Sequence, residues 1–326
     1  MKVLGIESTA HTIGIGILNE EEILANVKSM YEPEKGGIHP RESSEHLYQK
    51  SREKLNEALQ KSDTAESELD AIAFSQGPGI PQCLDVGAVL ARSLAKKHEI
   101  PLIGVNHCLA HISIGTRTTE AENPTTLYLS GGNSQILDYK SGRYRIVGET
   151  LDIALGNAID KLARHLDYPH PGGPKIEEEA RKTDKITELS YPIKGMDFSF
   201  SGLVTEARRK IGEEDKEVIA NSFQEYAYSA VVEALERAMS QSNSDEALLT
   251  GGVAMNNRLR EMVEEMCDQR DAEAYFPPKE YCMDNGAMIA HQGLIKLKEG
   301  EETKINRSGK KPNWRPNEVE VTWKKN

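Results

Sequence analysis

His107 and His111 stand four residues apart, just after the apolar stretch Ile100-Pro101-Leu102-Ile103-Gly104-Val105 and the capping residue Asn106. Asn is a favoured helix N-cap, so the spacing predicts a strand that ends at Asn106 and a helix whose first turns carry both imidazoles on one face. Two imidazoles so placed can hold one divalent cation. The zinc-protease pattern H-E-x-x-H has the same histidine spacing, but Cys108 occupies the place of its water-activating glutamate. The pair is therefore either a metal site without a protease's base, or two histidines at an ordinary capped helix start. A second stretch, Tyr128-Leu129-Ser130-Gly131-Gly132-Asn133, reads as a short strand running into a glycine turn. Such a turn exposes backbone N–H groups with no side chain in the way, which suits a phosphate. The plainer reading is a tight turn and nothing more.

The elements needed to position these groups come in two rounds. Lys2 to Glu7, Thr12 to Leu18 and Ile23 to Lys28 read as three strands, with Ser8-Thr9-Ala10-His11 between the first two. A Gly36-Gly37-Ile38-His39-Pro40 loop leads to a helix over Ser43 to Lys61. A strand from Leu69 to Ser75 ends in Gly77-Pro78-Gly79, and a helix marked by Val86, Val89, Leu90 and Leu94 leads to the strand before Asn106. The order then repeats. Thr125 to Ser130, Ser134 to Tyr139 and Arg143 to Val147 form a second meander, followed by a helix over Ile153 to Leu166. Glu246 to Thr250 is a strand ending in Gly251-Gly252, then a helix around Asn257 to Arg270 and a strand at Ala272 to Phe276. Each half reads βββ-α-β-α-β, and the second carries an insertion at about 169–244. Matching turns at Ser8-Thr9, Gly77-Gly79, Gly131-Gly132 and Gly251-Gly252 place ligand-binding strand ends on both sides of a cleft. The pattern resembles the actin, sugar-kinase and chaperone-ATPase superfold (ASKHA). That fold is α/β and two-lobed, with duplicated RNase H-like units and a nucleotide cleft between them. The expected lobes are 1–120 and 121–326, with the C-terminal segment free to pack back on the first. A single Rossmann domain fits less well, because no G-x-G-x-x-G opens a helix after the first strand.

Composition bounds the function. The chain has 326 residues, enough for two cores, with 38% hydrophobic and 28% charged residues. No apolar run reaches the roughly 18 residues of a membrane span, and Glu7 breaks the N-terminal apolar stretch that a signal peptide needs. Cys83, Cys108, Cys267 and Cys282 form no C-x-x-C pair and suit reduced thiols, so a cytoplasmic location is expected. The net charge of −12 argues against a chain that coats nucleic acid by itself. Arg181-Lys182 and Arg208-Arg209-Lys210 are local basic clusters, read from sequence as solvated helix faces.

Ten stretches, in order, carry a more specific resemblance. In the first lobe they are Gly5-Ile6-Glu7-Ser8-Thr9-Ala10-His11, Gly36 to Glu42, Ser75-Gln76-Gly77-Pro78-Gly79 and Val105-Asn106-His107-Cys108 with His111. Tyr128 to Asn133, Gly148-Glu149-Thr150-Leu151-Asp152 and Pro169-His170-Pro171-Gly172-Gly173-Pro174 follow. Gly195 to Gly202, Gly251-Gly252-Val253-Ala254-Met255-Asn256 and Asp284-Asn285-Gly286-Ala287 complete the set. Across almost its whole length the chain resembles the universal tRNA N6-adenosine threonylcarbamoyltransferase family, in the archaeal and eukaryotic branch that supplies the catalytic subunit of the KEOPS complex. The resemblance implies a metal held by His107, His111, Tyr128 and Asp284, iron(II) before zinc. It implies that threonylcarbamoyl-adenylate, or ATP or AMP in its place, lies against Tyr128, Leu129, Ser130, Gly131 and Gly132 and against Asp160, Gly173, Glu177 and Asn256. The donor chemistry agrees, since two imidazoles, a phenolate and a carboxylate are a moderately hard set. Tyr128 alternates with Leu127 and Leu129, so it faces the other side of its strand. Asp284 just precedes a helix start, where a carboxylate is favoured. Leu47, Pro81 and Asp85 depart from the family pattern, at the lip of the first lobe.

The implied reaction moves the threonylcarbamoyl group from its adenylate to N6 of adenine 37 in tRNAs reading codons that begin with A. Expected partners are tRNA, the other KEOPS subunits including a small kinase-like ATPase, and a separate synthase that makes the adenylate. Three rivals remain: an ATPase or phosphotransferase of the same superfold, a non-catalytic nucleotide-binding scaffold, and a metalloprotease.

Overall fold

The computed structural model describes residues 1–33 and 37–324; Gly36 of the expected loop lies outside them. Two five-stranded mixed sheets form the two halves. The first is built from β1 (Val3–Glu7), β2 (Thr12–Leu18), β3 (Ile23–Met30), β4 (Ala71–Gly77) and β5 (Leu102–Asn106), in the order β3-β2-β1-β4-β5. Its helices are α1 (Pro40–Lys61), α2 (Pro81–His98) and α3 (His107–Thr118). In the second half β6 (Thr125–Leu129), β7 (Ser134–Lys140) and β8 (Arg143–Glu149) precede α4 (Leu155–His165) and α5 (Gly173–Ala180). A small hairpin, β9 (Ile193–Lys194) and β10 (Asp197–Phe198), leads into α6 (Phe200–Arg209) and the long α7 (Lys216–Ser242). Then come β11 (Glu246–Thr250), α8 (Asn257–Asp268), β12 (Glu273–Tyr275), α9 (Lys279–Cys282) and α10 (Gly286–Lys298). The second sheet runs β12-β11-β6-β7-β8. Each first strand pairs antiparallel with its meander and parallel with the later strand, β1 with β4 and β6 with β11. The two sheets are therefore copies of one topology, as the repeated element order predicts.

The isoleucine–glycine alternation of β2 has a packing cause. Ile13, Ile15 and Ile17 enter the core that α1 and α2 cover. Gly14 and Gly16 face α10, and a Cβ on Gly16 would lie 2.2 Å from the Ala287 nitrogen. Gly5 on β1 meets α10 as closely, 2.1 Å from the Ala290 nitrogen. A helix seated directly on strand backbone needs glycine on both strands, because no side chain fits between them. So α10, which comes after the second sheet in the chain, packs on the first.

Helix α3 is the wedge between the halves. Its Ala110 and Ile114 pack with Val3, Ile103 and Met288 on the first-sheet side. Its Leu109 and Ile112 pack with Tyr128, Leu137 and Leu248 on the second. Each fully buried branched side chain here is worth about 1.5–3 kcal/mol, so α3 is held from both sides and its histidines sit at the junction.

The C-terminal strap crosses the same junction. Thr303 N–H donates to the Leu102 carbonyl, Lys311 N–H to that of Gln76, and Gly79 N–H to that of Pro312. Farther on, Arg315 pairs with Glu149 and Val321 N–H donates to the Gly142 carbonyl, both in the second half. The three departures have local reasons. Leu47 is fully buried in the first core. Pro81 opens α2, where its missing N–H is harmless. Asp85 pairs with Lys310 of the strap. Val89, which marked α2 in the sequence, is 57% exposed and lies off its buried face.

Candidate active site

Asn106 caps α3 as expected, accepting from the Cys108 and Leu109 amides at 3.1 and 3.2 Å. Its own amide donates to the Trp314 carbonyl of the strap at 3.1 Å. The helix start is thus fixed from outside, and both histidines are oriented with it. His107 Nε2 lies 3.5 Å, and His111 Nε2 3.2 Å, from the same Asp284 Oδ1. One ligand atom from each of these residues lies within 4.8 Å of the others. The ring of Tyr128 stacks at a tilt on His111, centroids 5.0 Å apart. Leu127 and Leu129 enter the second-lobe core while Tyr128 faces the other way, as the strand alternation predicts.

Electrostatics here come from burial and close charges. Burial alone would lower the His107 pKa, but Glu7 and Asp284 outweigh it and raise the group to about 9. His111 goes the other way: burial, helped by the His107 charge, lowers it despite the Asp284 hydrogen bond. Burial favours neutral Asp284, yet the two histidines hold its carboxyl far below the usual range. Burial raises Tyr128 well above an ordinary phenol, with Ser130 pulling weakly the other way. The Tyr128 hydroxyl is buried and has no partner in hydrogen-bond geometry among the described residues, and neither does His111 Nδ1. A buried polar atom left unpaired is costly, and a cation beside the phenol oxygen would relieve it. Two imidazole nitrogens and a carboxylate oxygen converge beside the Tyr128 ring that stacks on His111, and this donor set fits one divalent ion.

Glu7 is the residue that sequence reasoning missed. It is fully buried at the end of β1, and its Oε2 sits 3.0 Å from His107 Nδ1. Its Oε1 accepts from the Thr9 amide and hydroxyl at 2.7 and 2.5 Å. A carboxylate on the far nitrogen of a metal-binding histidine fixes its ring and raises its basicity. The signal was available, since a glutamate closing an apolar strand is almost never buried without a partner. His11 and His170 were quoted within motifs but given no role. Their rings meet edge to face across the cleft, centroids 6.3 Å apart.

The turn after Tyr128 is closed by Ser130 and Asn133, with Ser130 N–H donating to the Asn133 carbonyl at 2.8 Å. A Cβ on Gly131 or Gly132 would meet nothing among the described residues within 4 Å, so the backbone there faces open space. Behind it, Gly156 of α4 abuts the Ser130 carbonyl, and Gly251, at φ +97°, abuts that of Leu129. One turn on from Gly156, Asp160 accepts from the Gly172 amide at 2.8 Å and stands 3.5 Å from His170 Nδ1. Gly173, just beyond, also faces open space. Glu177 accepts from the Asn257 amide and side chain at 3.1 and 2.8 Å and pairs with Arg181. Asn256 caps α8 through Leu259 and donates to Gln224. Asp160 and Gly173 are therefore gathered near the turn through α4. Glu177, through its Oε1, and Asn256 both bond at the start of α8, Glu177 to Asn257 and Asn256 to Leu259 and Gln224.

Fold and site together define a two-lobed protein of the sugar-kinase type, with an open glycine turn beside a histidine–carboxylate–phenol cluster. HypF from T. kodakarensis shares this fold at a TM-score of 0.66 and 16% identity, over 94% of this chain and 49% of that one. A ROK hexokinase from Thermus thermophilus does so at 0.52 and 15%, over 92% of this chain and all of that one. Residues 22–291 match the TsaD family, tRNA N6-adenosine threonylcarbamoyltransferase. The relative of that name from Archaeoglobus fulgidus is 50% identical over 324 residues, covering 99% of this chain and 100% of its own. The chain belongs to the tRNA N6-adenosine threonylcarbamoyltransferase family.

Proposed function

We propose that the chain transfers a threonylcarbamoyl group from its adenylate to N6 of adenine 37 in tRNAs reading codons that begin with A. The carrying observation is that the open turn and the cluster share one strand end, since Tyr128 and Ser130 are two residues apart on β6 and its turn. That is about 7 Å of extended chain, close enough for one adenylate, whose acyl carbon and phosphorus share a single anhydride oxygen, to meet both. The Ser130–Gly132 backbone would take the phosphate of the AMP leaving group, with Asp160 and Gly173 toward its nucleoside.

His107, His111, Tyr128 and Asp284 would hold iron(II) or zinc, a Lewis acid able to polarise the threonylcarbamoyl oxygens. Glu7 keeps His107 in register and Asn106 keeps both histidines on their helix. The amine attacks directly, with no acyl-enzyme. All four cysteines are buried, and burial and the Asp284 charge push the Cys108 thiol up to about 12. A thiol that holds its proton this firmly is a poor nucleophile at neutral pH.

The cytoplasm is the proposed location, and no helix of the described residues is long and apolar enough to cross a membrane. KEOPS subunits and a separate adenylate synthase are the proposed partners, since a chain of net charge −12 binds polyanions weakly alone. The test is mass spectrometry of modified nucleosides from tRNA incubated with the chain, those partners and the adenylate. Modified adenosine without a trapped acyl-enzyme supports direct transfer. A covalent threonylcarbamoyl-protein adduct in rapid quench refutes it, and ATP hydrolysis without modified tRNA favours the ATPase reading.

A further inference from the structure

The two basic clusters of the sequence have different fates in the fold. Arg181 is paired with Glu177, and Lys182 with Glu179 at 2.7 Å. Arg208, Arg209 and Lys210 sit at the end of α6, which packs against α4. There Arg208 joins Lys161 and Arg164, the three charges that act on His165. Among the described residues none of these five cations has an acidic ion-pair partner, although elsewhere on the second half Arg237 and Arg258 each find one. His165, beside Arg164, feels only positive neighbours: after burial, the fields of Arg208, Arg164 and Lys161 all lower its pKa.

Helix dipoles account for only a fraction of this. Arg164 and His165 lie in the last turn of α4, Arg208 and Arg209 in that of α6. Two helix C-termini supply roughly one negative charge together, and Glu206, whose carboxyl feels Arg209 and Lys210, supplies another, leaving about three of the five positive charges unbalanced. In a chain with 52 acidic and 40 basic residues, such an island is left open to solvent: Arg164, His165, Arg208 and Arg209 are all exposed.

Its place is at the mouth of the cleft. Lys161 follows Asp160 directly, and Asp160 faces His170. On the other side, a Cβ on Gly37 of the first lobe would lie 3.7 Å from the Arg164 guanidinium. A target adenine can reach the cleft only if it leaves its stack, so the flanking backbone must be gripped at the rim. Guanidinium groups match phosphate in a two-pronged geometry.

We propose that the island formed by the ends of α4 and α6 is a phosphate-binding surface for the RNA strand that flanks the target adenosine. The assignment rests on the tRNA reading above. The test is Arg164→Ala/Arg208→Ala/Arg209→Ala in the full chain, assembled with its partner subunits and given adenylate and tRNA. The expected result is a rise of at least tenfold in KM for tRNA, with kcat and the KM for the adenylate unchanged. Fluorescence anisotropy with labelled tRNA, from about 50 mM salt upward, should give a log–log slope shallower by about 2, since each lost phosphate contact removes about 0.7–0.9. Lys182→Ala and Arg237→Ala, both in paired positions, should change neither quantity. The unchanged adenylate KM reports an intact fold. An unchanged slope and tRNA KM in an active variant would overturn the surface assignment while leaving the transfer reading intact. Loss of a partner subunit with unchanged tRNA affinity would overturn it in favour of a protein contact. If the wild type itself modified no tRNA, the transfer reading would fall first.

Discussion

The buried hydroxyl of Tyr128 makes a prediction with opposite signs in two conditions. Tyr128 is fully buried and, among the described residues, its oxygen has no partner in hydrogen-bond geometry. Leaving such a group unpaired costs about 1–3 kcal/mol. Removing it loses a few dispersion contacts of ~0.1–0.2 kcal/mol each, and a weak attraction to Ser130. With chelator present, Tyr128→Phe should therefore stabilise the protein by about 1 kcal/mol. With metal at a hundredfold above its dissociation constant, the wild type gains about 2.7 kcal/mol. A variant that binds the ion at least tenfold more weakly loses about 1.4 kcal/mol or more of that gain. The order of stability should then narrow to equality or reverse. Urea unfolding with chelator and with anaerobic iron(II) or zinc measures both arms. A variant less stable than wild type under chelation would show that the hydroxyl has a partner after all. An equal metal-induced shift in both proteins would remove Tyr128 from the ligand set.

Three further predictions follow from the same geometry. His107→Ala or His111→Ala should lower bound metal at least tenfold with the fold retained; full occupancy by elemental analysis would refute the assignment. Asp160→Ala should raise the KM for the adenylate more than it lowers kcat, and Asp284→Ala should mainly lower kcat, because a Lewis acid acts on charge developing in the transition state. Wild-type transfer by a metal-free Asp284→Ala would make any metal structural. Asp152 accepts from the Phe200 and Ser201 amides at 2.9 and 3.0 Å, capping α6 from the end of β8. Although burial opposes it, the Ile153 amide, then the Ser199 hydroxyl and then these two bonds lower its pKa to about 2. Its stabilisation is therefore full above the unfolded value near pH 4 and is lost as pH falls through about 2. Asp152→Ala should cost about 1 kcal/mol at pH 7, after discounting for exposure, and the gap to wild type in urea midpoints should narrow below pH 4.

Local patterns stated much of this protein outright. Strand alternation put Tyr128 opposite Leu127 and Leu129, and the Asn106 cap put His107 and His111 on one helical turn, because both depend on neighbours within four residues. The repeated order of elements gave two copies of one sheet. Other features needed the chain brought together over long separations. Glu7 meets His107 a hundred residues away, and α10 returns to the first sheet from beyond the second. The difference between the two basic clusters is of the same kind. Arg181-Lys182 and Arg208-Arg209-Lys210 look alike as sequence. Both have a glutamate one turn earlier, but Glu177 and Glu179 of α5 pair with the first cluster, whereas Glu206 of α6 turns to Ser190 and the packing of α6 on α4 brings the second more cations. Sequence fixes which charges exist; the fold decides which of them are neutralised, because an ion pair is set by distances that local pattern does not encode.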